Sequence, residues 1–169
     1  MSLRVLRRAS AAIAVTSALI FGAGPLAAAP ANAATPALPP SVRIQNVGAG
    51  LCLDGTFFDQ VLLTTCGQTG RFQHWRVFQY GGHVKINLSA NIHYCLNAAT
   101  RSTPNITVKR CRANDNNQNF VELAIPGSIP WKRLESLANG KCLHTWLPHG
   151  TRLATCNQAD DLQWWGGVG

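Results

Sequence analysis

Short alternating runs of apolar and polar residues cover most of the chain beyond position 40. Examples are "VRIQNV" (42–47), "VLLTTC" (61–66) and "HWRVFQ" (74–79), and glycine or asparagine separates many of these runs. Alternation of this kind, with many β-branched residues, predicts half-buried β-strands. No window of residues 41–169 shows a convincing helical period. The pattern therefore predicts an all-β domain built from short strands.

One unit is repeated three times along this domain. The stretches "GLCLDG", "HYCLNA" and "GKCLHT" align on a Cys-Leu pair. Later in each unit a second Cys is followed seven positions on by a Gln, with an aromatic residue two positions further. These pairs recur at one constant spacing as Gln73 and Trp75, Gln118 and Phe120, and Gln163 and Trp165. Three repeats of four strands each, at about 41–82, 83–128 and 129–169, predict a twelve-stranded, pseudo-threefold β-trefoil.

The six cysteines follow the same repeat. Sequence alone allows fifteen pairings of six cysteines. The two cysteines of each unit are separated by nearly the same short stretch in all three repeats, and they fall on adjacent predicted strands. The symmetric choice is a disulfide within each repeat, which predicts the pairs Cys52–Cys66, Cys95–Cys111 and Cys142–Cys156.

The segment before Ser41 has the composition of a targeting segment. Arginines at positions 4, 7 and 8 precede an apolar run, and "ANA" follows at 31–33. This order predicts a secretory signal peptide over residues 1–33 and an extracellular location. The alternative, a membrane anchor, is disfavoured because the unbroken apolar run of residues 9–24 is shorter than the ~20 residues that a span needs. Residues 34–40 form a predicted Pro-rich linker.

The charge of the chain is only mildly basic once that segment is removed. Loss of three arginines lowers the formal net charge from +8 to +5. The one basic cluster is "KRCR" (109–112). Scattered basic residues favour a solvated face over a nucleic-acid site, so we expect no nucleic-acid partner.

The triplicated pattern resembles that of the ricin B-type lectins, the QxW β-trefoil family, over residues 42–165. The resemblance implies a protein that binds glycans or polysaccharides without catalysis. Sugar sites of the family carry an acid two residues after the first Cys, an aromatic two residues before the second Cys, and often an Asn before the Gln. The acid positions are occupied by Asp54, Asn97 and His144, and Asn117 precedes Gln118.

No repeat keeps the whole set of sugar-binding residues. Thr64, Lys109 and Ala154 occupy the aromatic position. Phe58 and Trp146, which follow the acid positions, are candidate stacking residues, or they pack on the hairpin cap. Asp54 either contacts a sugar or bonds its own backbone in a "DG" turn. The candidate ligand-binding residues are therefore Asp54, Phe58, Asn97, Asn117, His144 and Trp146.

Catalytic and metal-binding motifs are missing from the sequence. The acidic residues fall mostly in predicted turns and do not form the carboxylate pair of a glycosidase. His144 and His149 share one hairpin, but such a pair is more typical of a surface than of a metal site. We expect no enzyme activity, no cofactor and no metal. Because the sugar-site residues are incomplete, a second hypothesis stays open: a protein-binding trefoil, such as a toxin's receptor-binding accessory subunit or a hydrolase inhibitor.

Overall fold

The computed structural model describes most of the predicted domain. The described residues are 37–56, 60–68, 70–98, 100, 105–125, 128–146, 148 and 150–168, without the side chains of 125 and 128–130. The predicted signal peptide (1–33), the first part of the linker (34–36), Phe58 and His149 lie outside them.

Twelve strands and no α-helix are found in the described residues. The strands are β1 (Ser41–Asn46), β2 (Cys52–Asp54), β3 (Leu62–Thr64), β4 (His74–Tyr80), β5 (His83–Leu88), β6 (Tyr94–Asn97), β7 (Thr107–Arg110), β8 (Phe120–Ile125), β9 (Ser128–Ser136), β10 (Cys142–Trp146), β11 (Gly150–Ala154) and β12 (Trp165–Val168). Short 3-10 turns precede β4, β8 and β12, at Gly70–Gln73, Asn116–Gln118 and Asp161–Gln163. This part of the chain contains no helix long and apolar enough to cross a membrane. The all-β prediction is confirmed.

Six of the strands close into a barrel. Antiparallel pairing runs from β1 to β4, β5, β8, β9 and β12, and β12 pairs back with β1. The remaining strands form three hairpins, β2–β3, β6–β7 and β10–β11. The hairpins meet one another, since Gly150 pairs with Leu62 and Asn105 bridges to Arg152. A six-stranded barrel capped by three hairpins is a β-trefoil, so the predicted fold is confirmed.

The repeated leucine and aromatic residues form the centre of the core. Leu53, Leu96 and Leu143, which follow the first cysteines, are fully buried. Trp75 and Trp165 donate from their indole Nε1 to the carbonyl oxygens of Leu53 and Leu143, at 3.1 and 2.9 Å. Phe120 is buried at the equivalent position, but its side chain has no N–H group to donate. Each repeat therefore contributes one buried leucine and one buried aromatic side chain to a shared core.

The repeated glutamines fix the turn that contains the second cysteine of each unit. Gln118 Nε2 donates to the carbonyl oxygen of Arg110 at 2.9 Å, and the backbone N–H of Arg112 donates to Gln118 Oε1 at 2.8 Å. Gln73 and Gln163 make the same two bonds in their own repeats. A buried amide with both ends satisfied holds the chain on either side of the cysteine.

Disulfides join the cysteines of each repeat as predicted. The bonds are Cys52–Cys66, Cys95–Cys111 and Cys142–Cys156. In each pair the first cysteine is fully buried at the start of a hairpin. The bond therefore connects the core side of the hairpin to the turn that the glutamine holds.

Candidate functional site

A polar pocket in the second repeat brings together Asn97 and Asn117. It has a volume of about 350 Å³ and lies between the β6–β7 hairpin and the 3-10 turn that precedes β8. Its lining residues are Asn97, Thr100, Lys109, Arg110, Arg112, Asp115, Asn117 and Gln118. Pockets of this size fall at the lower end of the range for small-molecule sites.

The wall formed by Asn117 is held by local hydrogen bonds. Asp115 caps the 3-10 turn, because its Oδ1 accepts from the backbone N–H of Asn117 at 3.0 Å and from Asn117 Nδ2 at 2.9 Å. The carbonyl oxygen of Asn117 accepts from the backbone N–H of Ala98 at 2.6 Å. These contacts join the turn to the end of β6 and orient the Asn117 amide.

Two amide groups whose oxygens are unpaired among the described residues line this pocket: that of Asn97, which is only 3% exposed, and that of Asn117, which is half-buried. Asn97 Nδ2 donates to the carbonyl oxygen of Ala98 and to Thr107 Oγ1, at 3.0 and 3.3 Å. The Oδ1 atoms of Asn97 and Asn117 accept no hydrogen bond from the residues that the structure describes. A carbonyl oxygen of this kind can accept a hydrogen bond from a hydroxyl group.

A buried lysine supports the loop on the other side of the pocket. Lys85 projects from β5, is only 6% exposed, and donates from Nζ to the carbonyl oxygens of Ala113, at 3.1 Å, and Arg112. Burial lowers the pKa of the Lys85 ammonium, and the nearby carboxylate of Asp115 partly offsets this effect. The Lys85 side chain thus fixes the backbone at Arg112 and Ala113.

In the first repeat, the carboxylate of Asp54 is engaged by its own hairpin. Asp54 is 2% exposed. Its Oδ1 accepts from the backbone N–H and the hydroxyl of Thr56, at 2.9 and 2.5 Å, and its Oδ2 accepts from Thr64 Oγ1 at 3.0 Å. The bond to Thr56 N–H is the local turn contact that "DG" predicts.

In the third repeat, a contact between a histidine and a carboxylate occupies the equivalent position. His144 Nε2 lies 3.2 Å from Asp160 Oδ2, and Asp160 also accepts from the backbone N–H of Leu162 at 3.1 Å. Leu162, which is half-buried, stands where Asn117 stands in the second repeat. The polar groups of this repeat are therefore directed at each other rather than at an open pocket.

Trp146 lies apart from these positions, at the end of β10. Its side chain is 51% exposed. The guanidinium carbon of Arg152 lies 3.4 Å from the centre of the Trp146 ring, a cation–π contact. The pair lines a small pocket of about 200 Å³ together with Gln60 and Asn105. Trp146 and Arg152 thus place an aromatic ring and a cation side by side on the hairpin cap.

Sequence reasoning missed Asp115 and the basic residues of the second-repeat pocket. For the cluster Lys109, Arg110 and Arg112 it predicts only a solvated face. The repeat alignment places Thr64, Thr65 and Gly67 at these positions in the first repeat, and Ala154, Thr155 and Asn157 in the third. That comparison is the signal that could have singled them out, because no other repeat carries a cation there.

Comparison with known proteins supports the architecture. A model of the "Ricin-type beta-trefoil lectin domain" matches residues 40–129, which is more than half of the 169-residue chain. No curated protein sequence matches the chain. The designed threefold-symmetric protein ThreeFoil is 16% identical, with 76% of this chain and 98% of that chain covered and a TM-score of 0.63.

Two further solved structures share the fold. A protein titled "BEL beta-trefoil" is 17% identical, with 78% of this chain and 94% of that chain covered and a TM-score of 0.65. The hemolytic lectin CEL-III is 19% identical and has a TM-score of 0.63. The match covers 78% of this chain but only 30% of that lectin. At such low identity these structures support the fold alone, whereas the family match rests on the sequence. The chain belongs to the family of ricin-type β-trefoil lectin domains.

Proposed function

We propose that this is a secreted carbohydrate-binding protein without catalytic activity, and that the second-repeat pocket is its sugar site. One observation carries the proposal. The pocket brings together the two asparagines at family sugar-binding positions, Asn97 and Asn117, and their amide oxygens accept no hydrogen bond from the described residues. The equivalent groups of the other repeats, Asp54 and the His144–Asp160 pair, are engaged internally.

The chemistry of this pocket suits a sugar ring with several hydroxyl groups. The Oδ1 atoms of Asn97 and Asn117 would accept hydrogen bonds from neighbouring hydroxyls of the sugar. No aromatic residue lines the described part of this pocket, so stacking on the sugar face does not contribute there. We therefore expect a weak single-site affinity that depends on hydrogen bonds, since desolvation and ordering offset much of the gain.

The acid groups around this pocket support binding without hydrolysis. Asp115 is the one carboxylate among its described lining residues. Glycosidases use two carboxylates that flank the scissile bond. We infer that the pocket retains its ligand unchanged. Three disulfides and the predicted signal peptide support an extracellular protein, because such bonds persist in oxidising compartments.

The Asn117→Ala variant tests the sugar site. The substitution removes one amide oxygen but leaves the backbone N–H that Asp115 caps. Binding to glycans identified on an array should weaken roughly threefold to tenfold, as for the loss of one or two hydrogen bonds. Asn114→Ala is the matched control, because Asn114 is exposed nearby and does not line the pocket. No binding of the folded wild type to any glycan would contradict the proposal, as would equal binding by both variants.

A second candidate function rests on Trp146 and Arg152. Exposed tryptophan and arginine side chains are enriched among the residues that dominate protein interfaces. If the cap binds a protein partner, Trp146→Ala should abolish co-purification of that partner from culture supernatant, while Asn117→Ala should leave it unchanged. A partner lost with Asn117→Ala instead would assign the interaction to the second-repeat pocket.

A further inference from the structure

The second-repeat pocket has an excess of positive charge that the other repeats lack. Lys109, Arg110 and Arg112 line it with exposed side chains, whereas Asp115 is its one described carboxylate. None of the three cations lies within ion-pair distance of a carboxylate in the residues that the structure describes, where such contacts are Lys132–Glu122 and His144–Asp160. Their charges are therefore available to a ligand.

The negative charge of the pocket is partly neutralised from within. Oδ1 of Asp115 accepts two hydrogen bonds from Asn117, and the buried ammonium of Lys85 lies close enough to interact with the Asp115 carboxylate. At the family's acid position this repeat carries the neutral Asn97, so a second carboxylate does not repel an anion. Three exposed cations against one carboxylate give the lining of this pocket a net positive charge.

We propose that this pocket selects acidic saccharides, in which a sulfate or carboxylate group on the sugar pairs with Lys109 and Arg112. The inference rests on the proposed sugar-binding function and adds the class of sugar. The two asparagine oxygens accept from the ring hydroxyls, while the guanidinium of Arg112 and the ammonium of Lys109 bind the anionic substituent through charge-assisted hydrogen bonds. A neutral sugar satisfies the asparagines but leaves the cations unpaired.

The cluster fits an anionic sugar better than a nucleic acid. The three cations line one pocket of about 350 Å³. Nucleic-acid surfaces instead extend basic residues along a stripe, and single-strand sites add aromatic side chains for base stacking. No aromatic side chain lines this pocket in the described part of the chain.

The test compares charged and neutral forms of the same polysaccharide. The full chain is titrated with sulfated and desulfated galactan, with polygalacturonate and its methyl ester, and with plain duplex DNA, at low and physiological salt. The wild type should bind one or both acidic forms about tenfold more tightly than their neutral counterparts, as expected for one or two charge-assisted hydrogen bonds. The sulfate and uronate arms identify which anion is preferred.

The variants use residues from the chain's own repeats. Lys109→Thr copies Thr64, and Arg112→Asn copies Asn157, so each introduces a residue that the fold already accommodates at that position. Both should lose about tenfold in affinity for the acidic glycan and keep their binding to neutral glycan. Lys141→Thr, which removes one exposed charge in the third repeat, should leave both affinities unchanged. Thermal unfolding confirms that all three variants are folded.

The outcomes separate this inference from the function on which it rests. Equal binding of charged and neutral glycans, unaffected by Lys109→Thr and Arg112→Asn, would overturn the acidic preference and leave sugar binding intact. Absence of all glycan binding by the folded protein would overturn both. Equal losses with Lys141→Thr, or binding to DNA as tight as to the acidic glycan, would show unspecific charge attraction and overturn the selectivity.

Discussion

Gly166 has no side chain because the ring of Trp131 occupies the space beside it. A Cβ atom at Gly166 would lie 2.4 Å from Trp131 Cε3 and 2.6 Å from Cζ3, well inside contact distance. At the neighbouring Gly167 the nearest atom to such a Cβ would be Val42 Cβ, at 3.6 Å. Two consecutive glycines in one strand thus have different reasons to be there. Only the first is required by packing.

Substitution of these two glycines makes a matched pair. Gly166→Ala should lower the free energy of unfolding by about 1–3 kcal/mol, because the bulky Trp131 ring has to move to admit the methyl group. Gly167→Ala should change it by less than about 0.5 kcal/mol, as is usual for a surface substitution. Urea unfolding followed by tryptophan fluorescence measures both. Equal stability of the two variants would show that Trp131 moves aside freely.

At the level of secondary-structure elements, short sequence motifs specify each hairpin together with the turn that follows it. In the first repeat the Cys-Leu pair, the second Cys and the Gln-x-aromatic motif all fall between Cys52 and Trp75. The two glutamine bonds recur in all three repeats, and the indole–leucine bond recurs in the first and third, because these contacts depend on local spacing. Leu53 and Trp75 meet, and Gln73 holds the turn at Cys66. The fold and the disulfides could therefore be predicted from the sequence.

Whether the polar residues of each candidate site bind neighbouring side chains or face a ligand could not be predicted in the same way. His144 lies on a strand and Asp160 in a later turn, and only their packing shows that they pair. Asp54 matches the family's acid position, yet the hydroxyls of Thr56 and Thr64 surround its carboxylate. Whether a polar residue faces a ligand or a neighbour depends on side chains that the motif does not include.

The disulfide of the second repeat supports both stability and the proposed site. A double Cys95→Ala, Cys111→Ala variant should lose about 3 kcal/mol of unfolding free energy, since a loop of about 15 residues is no longer closed. Cys142→Ala, Cys156→Ala should lose a similar amount because the loops are of similar length. Only the first variant should also weaken glycan binding, as Cys111 lies between the pocket residues Arg110 and Arg112.

Denaturant unfolding and glycan titration of the folded variants check this pair. The titrations are made at low temperature, where both variants remain folded by near-UV circular dichroism. Equal glycan affinities of the two variants would show that the disulfide does not position the pocket. A stability loss in only one of them would contradict the equivalence of the repeats.

In the molecule as a whole, the last strand closes the barrel. β12 pairs with β1 from Asn46 opposite Trp165 to Arg43 opposite Val168, and Trp165 also pairs with Lys132 of β9. Without β12, the edges of β1 and β9 are left open, and a closed barrel is what removes such edges. The first and last strands of the domain are neighbours, so the fold is complete only when its final residues are in place.

Truncation tests this dependence. Deletion of residues 165–169 removes the whole of β12 and the buried Trp165, whose indole donates to the carbonyl oxygen of Leu143 at 2.9 Å. Loss of a buried tryptophan alone costs about 3–5 kcal/mol, a large part of the stability of a domain this size. We therefore expect the truncated chain to lose cooperative thermal unfolding and near-UV circular dichroism.

Deletion of residues 168–169 is the control, because it retains Trp165 and most of the pairing with β1. This shorter deletion should leave the protein folded with a lower midpoint of thermal unfolding. A soluble, cooperatively unfolding chain that ends at Trp164 would show that the other five barrel strands can close without the sixth.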